Sequence, residues 1–128
     1  MFSWPPYGLI NAHGGILPEY RGLDTNLWAI YERQFDKVGV TIHRVDSDLD
    51  TGDVLKISQL PLAKGMSILN LRYHTSVICT DLLLSTLEDL KRGRLEAQVQ
   101  VGRGRYFGPM PTATKCVTNL RLINYEKQ

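Results

Sequence analysis

Three patterns in the chain predict an α/β domain. Residues 38–45 alternate, with Val38, Val40 and Ile42 on one side and Thr41 and His43 on the other. That period of two marks a half-buried strand. Residues 54–60 resume strand character after an acidic loop. Over residues 67–91, Ile68, Leu71, Ile78, Leu82, Leu87 and Leu90 carry the spacing of a long amphipathic helix. Strands flanking a polar loop, with a helix after each polar turn, belong to the α/β class.

The remaining elements follow in order. Residues 1–8 hold two prolines and a glycine and predict an extended lead-in. Residues 9–12 form a short apolar run that suits a buried strand. His13-Gly14-Gly15 ends it, the glycines letting the backbone turn and approach a ligand closely. Residues 16–22 read as a loop with apolar anchors. Asp24 or Thr25 is the expected N-cap of a helix through Leu27, Trp28, Ile30 and Tyr31.

Between the two later strands, residues 46–53 carry Asp46, Asp48, Asp50 and Asp53 with Ser47 and Gly52. Short polar side chains of this kind bond nearby backbone in turns. No glutamate closes a twelve-residue calcium loop, so no metal is expected there. Ser67 should cap the long helix and Gly93 stop it. A short strand is expected over residues 95–101, then a basic turn at Gly102-Arg103-Gly104-Arg105. Tyr106-Phe107 beside that turn has a passing likeness to an RNA-recognition motif but lacks its sheet context, so a hairpin turn is the reading. The remainder is polar and mixed.

Composition sets limits on function. The 128 residues are 43% apolar and 22% charged, the proportions of an ordinary globular domain. One domain over residues 1–128 is expected, and a chain of this size buries roughly two-thirds of its unfolded surface without a staple. The net charge of +2 argues against nucleic acid or anionic membrane as the main partner. Cys79 and Cys116 lie far apart without a Cys/His cluster, so neither zinc nor a disulfide framework is expected. With no long apolar run and no signal-peptide pattern, the expected setting is cytoplasmic.

The candidate chemistry lies at the strand ends. Asn11 and His13 are two residues apart and share one face of a strand, and Asp50 sits on the loop after another. An amide can stabilise an oxyanion, an imidazole can move a proton, and a carboxylate can orient or charge the imidazole. No serine or cysteine nucleophile is near, so the attacking group comes from the substrate. His43 also faces this side and reads as a neighbour of the site, or as solvated, rather than as catalytic. Tyr20 and Arg21 are candidate substrate-binding residues, because Arg commonly clamps phosphate.

The string Asn11-Ala12-His13-Gly14-Gly15-Ile16-Leu17-Pro18-Glu19-Tyr20-Arg21-Gly22 resembles the Asn-x-His-x-x-x-Leu-Pro-x-x-Arg-Gly signature of folate-dependent formyltransferases. Gly39-Val40-Thr41 resembles the family's next strand, and Leu49-Asp50-Thr51-Gly52 its Leu-Asp-x-Gly catalytic loop. The resemblance implies the C-terminal half of a Rossmann-like formyltransferase domain, with a mixed sheet and flanking helices. It implies transfer of a formyl group from 10-formyltetrahydrofolate to an amine. An amino-sugar nucleotide or related small molecule is favoured over methionyl-tRNA. Asn11, His13 and Asp50 are then catalytic, and Val45, Asp46, Ser47, Asp48 and Leu49 receive the pterin ring.

Gly14 stands where the family commonly has proline, which should loosen the turn after His13. In the family a long segment precedes the Asn-x-His strand, whereas only residues 1–8 precede Leu9. Self-association, or a complementary N-terminal half, is therefore expected to cover the open sheet edge. Hydrolysis of the formyl donor and a non-catalytic truncated module are the alternatives.

Overall fold

A computed structural model describes Pro5 and residues 8–127; the rest of the lead-in expected over residues 1–8 lies outside the described residues. The chain forms β1 (Ile10–His13), β2 (Tyr20–Gly22), α1 (Thr25–Tyr31), a 3-10 turn (Phe35–Lys37), β3 (Gly39–Arg44), β4 (Val54–Gln59), α2 (Ile68–Lys91), β5 (Arg105–Phe107) and α3 (Thr112–Ile123). One sheet has the order β1-β3-β4 and is antiparallel; β2 and β5 pair in parallel in a second sheet. The mixed pairing is thus divided between two sheets.

The alternation of β3 is real in polarity but not in exposure. The strand is central, and Gly39, Val40, Thr41, Ile42 and His43 are all buried. Val40 and Ile42 meet Leu55 and the Ile78, Cys79, Leu82 and Leu83 side chains of α2. On the opposite face the polar groups are paired within the protein, not solvated. Thr41 donates to the Gly15 carbonyl (2.7 Å) and accepts from the Leu17 N–H (3.2 Å). Burial of a hydroxyl is tolerated because both of its capacities are used. The half-buried reading is corrected accordingly.

A second cluster gathers Tyr20, Leu27, Ile30, Val38, Leu60, Leu71, Phe107 and Leu122. It packs α1 against α3 and anchors β2. Asn26 locks α1 to the start of β3: its amide donates to the Gly39 carbonyl and accepts from the Gly39 N–H, each at 2.9 Å. Asp24 precedes α1 in the left-handed region (φ 49°) and makes no cap bond. Its carboxylate instead accepts from the Met110 N–H at 2.9 Å and lies 3.7 Å from both Arg72 and Lys115. The expected cap therefore ties the chain after β5 to the start of α1.

The long helix begins as expected. Ser67 Oγ accepts from the Asn70 N–H, and Asn70 Oδ1 accepts from the Ser67 N–H, a reciprocal pair that satisfies two helix-end donors. Beyond its C-terminus Gly93 adopts φ 66°, a conformation that costs glycine least. Among the described residues no helix is long and apolar enough to cross a membrane.

Two expectations at the C-terminal end are overturned. The segment expected as a strand over residues 95–101 makes only a bridge, Val54 to Gln98. The strand lies where a hairpin turn was expected, at Arg105–Phe107, paired with β2 in the register Tyr20–Arg105, Arg21–Tyr106 and Gly22–Phe107. Glycine serves close backbone approach here, not a hairpin. A Cβ on Gly104 would stand 1.6 Å from the Pro18 carbonyl oxygen, and one on Gly22 2.2 Å from that of Phe107. The polar C-terminal stretch holds α3, whose buried positions are Thr118 and Leu122. Thr118 disguises the helix, since its hydroxyl bonds back to the Thr114 carbonyl (2.9 Å) and packs where an apolar residue would be expected.

Candidate functional site

The site is assembled from three strands and a turn. Asn11 pairs with His43 across β1 and β3, and His13 pairs with Thr41. Cross-strand partners share a face, so Asn11, His13 and His43 project toward the same side. Asp50 joins them from the loop before β4. Its Oδ2 lies 3.6 Å from His13 Nδ1 and its Oδ1 3.5 Å from His43 Nε2. His13, His43 and Asp50 are all buried, whereas Asn11 is exposed.

Asp50 is held tightly for a loop residue. It adopts φ 55°, and its Oδ2 accepts from the Gly22 N–H at 3.1 Å. Gln100, which the sequence reading did not single out, donates to the carbonyls of Asp50 (2.9 Å) and Gly52 (2.7 Å). Fifty residues separate Gln100 from Asp50, and no local pattern announces the contact. Hydrogen bonds tie down the turn after His13. The Gly14 carbonyl accepts the Thr25 hydroxyl, the Gly15 N–H donates to the His13 carbonyl (3.0 Å), and the Gly15 carbonyl accepts from Thr41.

The partners assign the histidine tautomers, because a backbone carbonyl only accepts. His13 Nε2 lies 2.7 Å from the Tyr20 carbonyl, so Nε2 carries the hydrogen. In the neutral ring, Nδ1 then turns a lone pair toward Asp50 and is free to take a proton. His43 donates from Nδ1 to the Arg44 carbonyl (2.9 Å), which leaves its Nε2 to accept from the Asn11 amide at 3.3 Å. One N–H of the Asn11 amide is used in that bond and a second remains. His43 is therefore buried between Asn11 and Asp50 instead of being solvated. The signal for it in the sequence was its alternation, on the side opposite Val40 and Ile42.

Burial holds the His13 imidazole below its ordinary pKa of 6.5; the bond to Tyr20 and the charge of Asp50 oppose that shift, and His43 adds to it. A histidine so lowered is neutral near pH 7 and can act as a base. The linkage sign follows. Below 6.5 the unfolded chain binds the proton before the folded one does, so stability rises with pH through that window and falls on acidification. We expect the urea midpoint to drop more steeply just below pH 6.5 in the native chain than in His13→Gln. Parallel pH dependence in the two would remove His13 as the cause.

The expected binding residues divide. Val45, Asp46, Ser47, Asp48 and Leu49 lie exposed beside Asp50. Asp46 shapes their turn by accepting from the Asp48 N–H (3.0 Å) and the Thr51 hydroxyl (2.8 Å), and Asp48 pairs with Arg103. Tyr20 is a correction. Its ring is buried and stacks on Phe107 at 5.1 Å, and its hydroxyl donates to Glu32 at 2.9 Å. Burial and the neighbouring Glu32 carboxylate push its pKa up. Tyr20 serves the site through its carbonyl, not its side chain. Arg21 is half-buried, with its guanidinium 6.0 Å from the Tyr106 ring. A cleft of about 520 Å³ opens beside His13 and is lined also by Gly22, Asp24, Leu71, Arg72 and Thr75.

The chain as a whole is similar to known proteins. A family model described as formyl transferase matches residues 1–77. Methionyl-tRNA formyltransferase of Pelobacter propionicus is 35% identical over 106 residues, which is 83% of this chain and 33% of that protein. The same enzyme from Desulfotalea psychrophila is 37% identical over 95 residues, 74% of this chain and 29% of that one. A solved structure, the formyltransferase PseJ from Anoxybacillus kamchatkensis in complex with UDP-4,6-dideoxy-4-formamido-L-AltNAc and tetrahydrofolate, aligns with a TM-score of 0.70. It is 27% identical, and the alignment covers 77% of this chain and 51% of PseJ. The chain thus spans about a third of the length of these curated relatives and about half of the PseJ chain.

Proposed function

The chain belongs to the formyl transferase family, and on that footing we propose that it carries the reaction centre for transfer of a formyl group from 10-formyltetrahydrofolate to a small-molecule amine. One observation carries the reading: a neutral histidine, a carboxylate and an amide with a spare N–H meet at one strand end. The residues present suit the donor. Its formyl carbon is an electrophile on a nitrogen leaving group, and the chain supplies groups for its oxygen and for the proton.

Asn11 offers its second amide N–H to the formyl oxygen, where negative charge develops as the amine attacks. His13 takes the proton of the attacking amine at Nδ1. The resulting imidazolium satisfies both of its neighbours, the Tyr20 carbonyl at Nε2 and Asp50 at Nδ1. As the carbon–nitrogen bond to the donor breaks, His13 returns that proton to the departing nitrogen. The amine gains a formyl group and loses one proton, and the donor nitrogen gains that proton. Asp50 makes proton uptake favourable without itself being protonated, and the Gly22 N–H keeps it in place.

The exposed loop from Val45 to Leu49 is the proposed seat of the pterin ring, next to the reacting carbon. Support for a small acceptor comes from the near-balanced charge of the chain and from the sugar nucleotide bound in the PseJ structure. Calorimetric titration with 5-formyltetrahydrofolate, a stable analogue of the donor, tests the reading. Saturable binding that weakens when residues 46–48 are replaced by glycine and serine is the expected result. A folded chain that binds no folate contradicts it.

A further inference from the structure

Arg21 sits between the two residues whose backbone groups hold the reaction centre: the Tyr20 carbonyl accepts from His13, and the Gly22 N–H donates to Asp50. Its Nε is buried and has no hydrogen-bond partner. Among the described residues Arg21 forms no ion pair, whereas Arg72, Arg92, Arg103 and Arg105 each face a carboxylate. Buried N–H donors in proteins are almost always paired, so an orphan calls for an acceptor.

A cavity of about 210 Å³ lies against this side chain, lined by Arg21, Thr51, Gln100, Gly102, Arg103 and Gly104. Of its polar side chains, Thr51 donates to Asp46 and Arg103 pairs with Asp48, which leaves the Arg21 guanidinium as the uncommitted cation among the described lining residues. Gln100 is committed to the carbonyls of Asp50 and Gly52, which makes one wall of the cavity continuous with the catalytic loop. The opposite wall is glycine backbone. Gly102 adopts φ 79° with nothing within 4 Å of where a Cβ would lie, and Gly104 is pressed onto Pro18. Asp48 faces this group through its pair with Arg103, and Asp46 accepts from the Thr51 hydroxyl. Neither forms an ion pair with Arg21.

We propose that this cavity is an oxyanion subsite that binds a phosphate group of the amine acceptor. The inference rests on the formyl-transfer reading for the identity of the acceptor, though not for the existence of the subsite. The Arg21 guanidinium, charged and without a carboxylate partner among the described residues, presents its terminal N–H groups as a fork matched to a phosphate or carboxylate edge. Its position, one residue from each backbone group that holds His13 and Asp50, anchors the far end of a molecule whose amine reaches them. Carboxylates of the donor's glutamate tail carry the same chemistry and are the other source.

The test is binding of inorganic pyrophosphate to the 128-residue chain at low salt, followed by amide chemical shifts, with a tri-γ-glutamate peptide as the second probe. Pyrophosphate is expected to bind saturably and to shift residues 21, 51 and 102–104. Arg21→Ala should weaken it by at least about tenfold, the loss of a charge-assisted pair. Arg21→Lys should weaken it less, keeping charge without the fork, and it carries the test should the alanine variant fail to fold. Arg92→Ala, an exposed change at the C-terminal end of α2, should leave binding unaltered. Equal affinity in Arg21→Ala, an equal loss in Arg92→Ala, or preference for the glutamate peptide would each overturn the proposal. Neither donor nor amine is present, so failure of formyl transfer and failure of the subsite are read separately.

Discussion

Asp50→Asn should reduce formyl transfer by about a thousandfold and leave the fold intact. General acid–base groups contribute roughly 10²–10⁴ in rate, and the substitution removes the charge that makes proton uptake by His13 favourable. The asparagine carbonyl can still accept from the Gly22 N–H, so the loop keeps the bond that holds it. Its amide then takes the place of Oδ1 beside His43 Nε2, and an uncharged carbonyl is left beside His13 Nδ1. Turnover measured alongside a thermal melt separates these effects. A native melting temperature with lost turnover is the expected pair of results, and turnover within a fewfold of native would remove Asp50 from the mechanism.

Gly52→Ala should be among the most damaging single-methyl substitutions in the chain. The added Cβ would stand 1.7 Å from the Arg44 carbonyl oxygen and 2.6 Å from its carbon. That oxygen accepts from His43 Nδ1, and the Arg44 N–H pairs with the Asp53 carbonyl at 2.9 Å. Backbone must move, and with it the anchor of His43 and the loop that carries Asp50. Overpacking of this kind costs about 1–3 kcal/mol, and we expect the upper part of that range in a urea titration, together with reduced turnover. Gly108→Ala is the comparison: nothing lies within 4 Å of its Cβ position, and stability should change by less than about 0.5 kcal/mol. Equal behaviour of the two variants would contradict the packing argument.

Parts of this architecture were legible because the information is local. Ser67 and Asn70 cap α2 within one turn, and Gly93 ends it, so the helix is written in its own sequence. Asn11 and His13 share a strand face by simple alternation, and Asp50 follows the next strand, so the three could be placed together by residue type and motif. What was hidden depends on pairing across the chain. β5 is specified by the glycines that let it approach β2, which lies eighty-five residues away in the register Tyr20–Arg105. Hydrophobic alternation cannot report that. Thr41 and His43 look solvent-facing, but their polarity is satisfied by Gly15, Leu17, Arg44 and Asn11.

Tyr20 shows the converse error. Its place in a functional motif suggested substrate contact, while its ring supplies core packing and only its carbonyl serves His13. Asp24 likewise has the composition of a helix cap but spends its carboxylate on Met110, eighty-six residues on. In both cases the residue type was informative and its partner was not, because the partner is chosen by tertiary structure.

The central claim is that a neutral His13, charged in turn beside Asp50, moves the proton of an attacking amine. The most direct measurement follows isotope-labelled formyl from 10-formyltetrahydrofolate in the presence and absence of an amino-sugar nucleotide. The label should appear in a formamide product, at a rate that depends on the amine and falls as His13 is protonated on acidification. Label appearing as formate at the same rate with or without the amine would contradict the account and identify water as the acceptor.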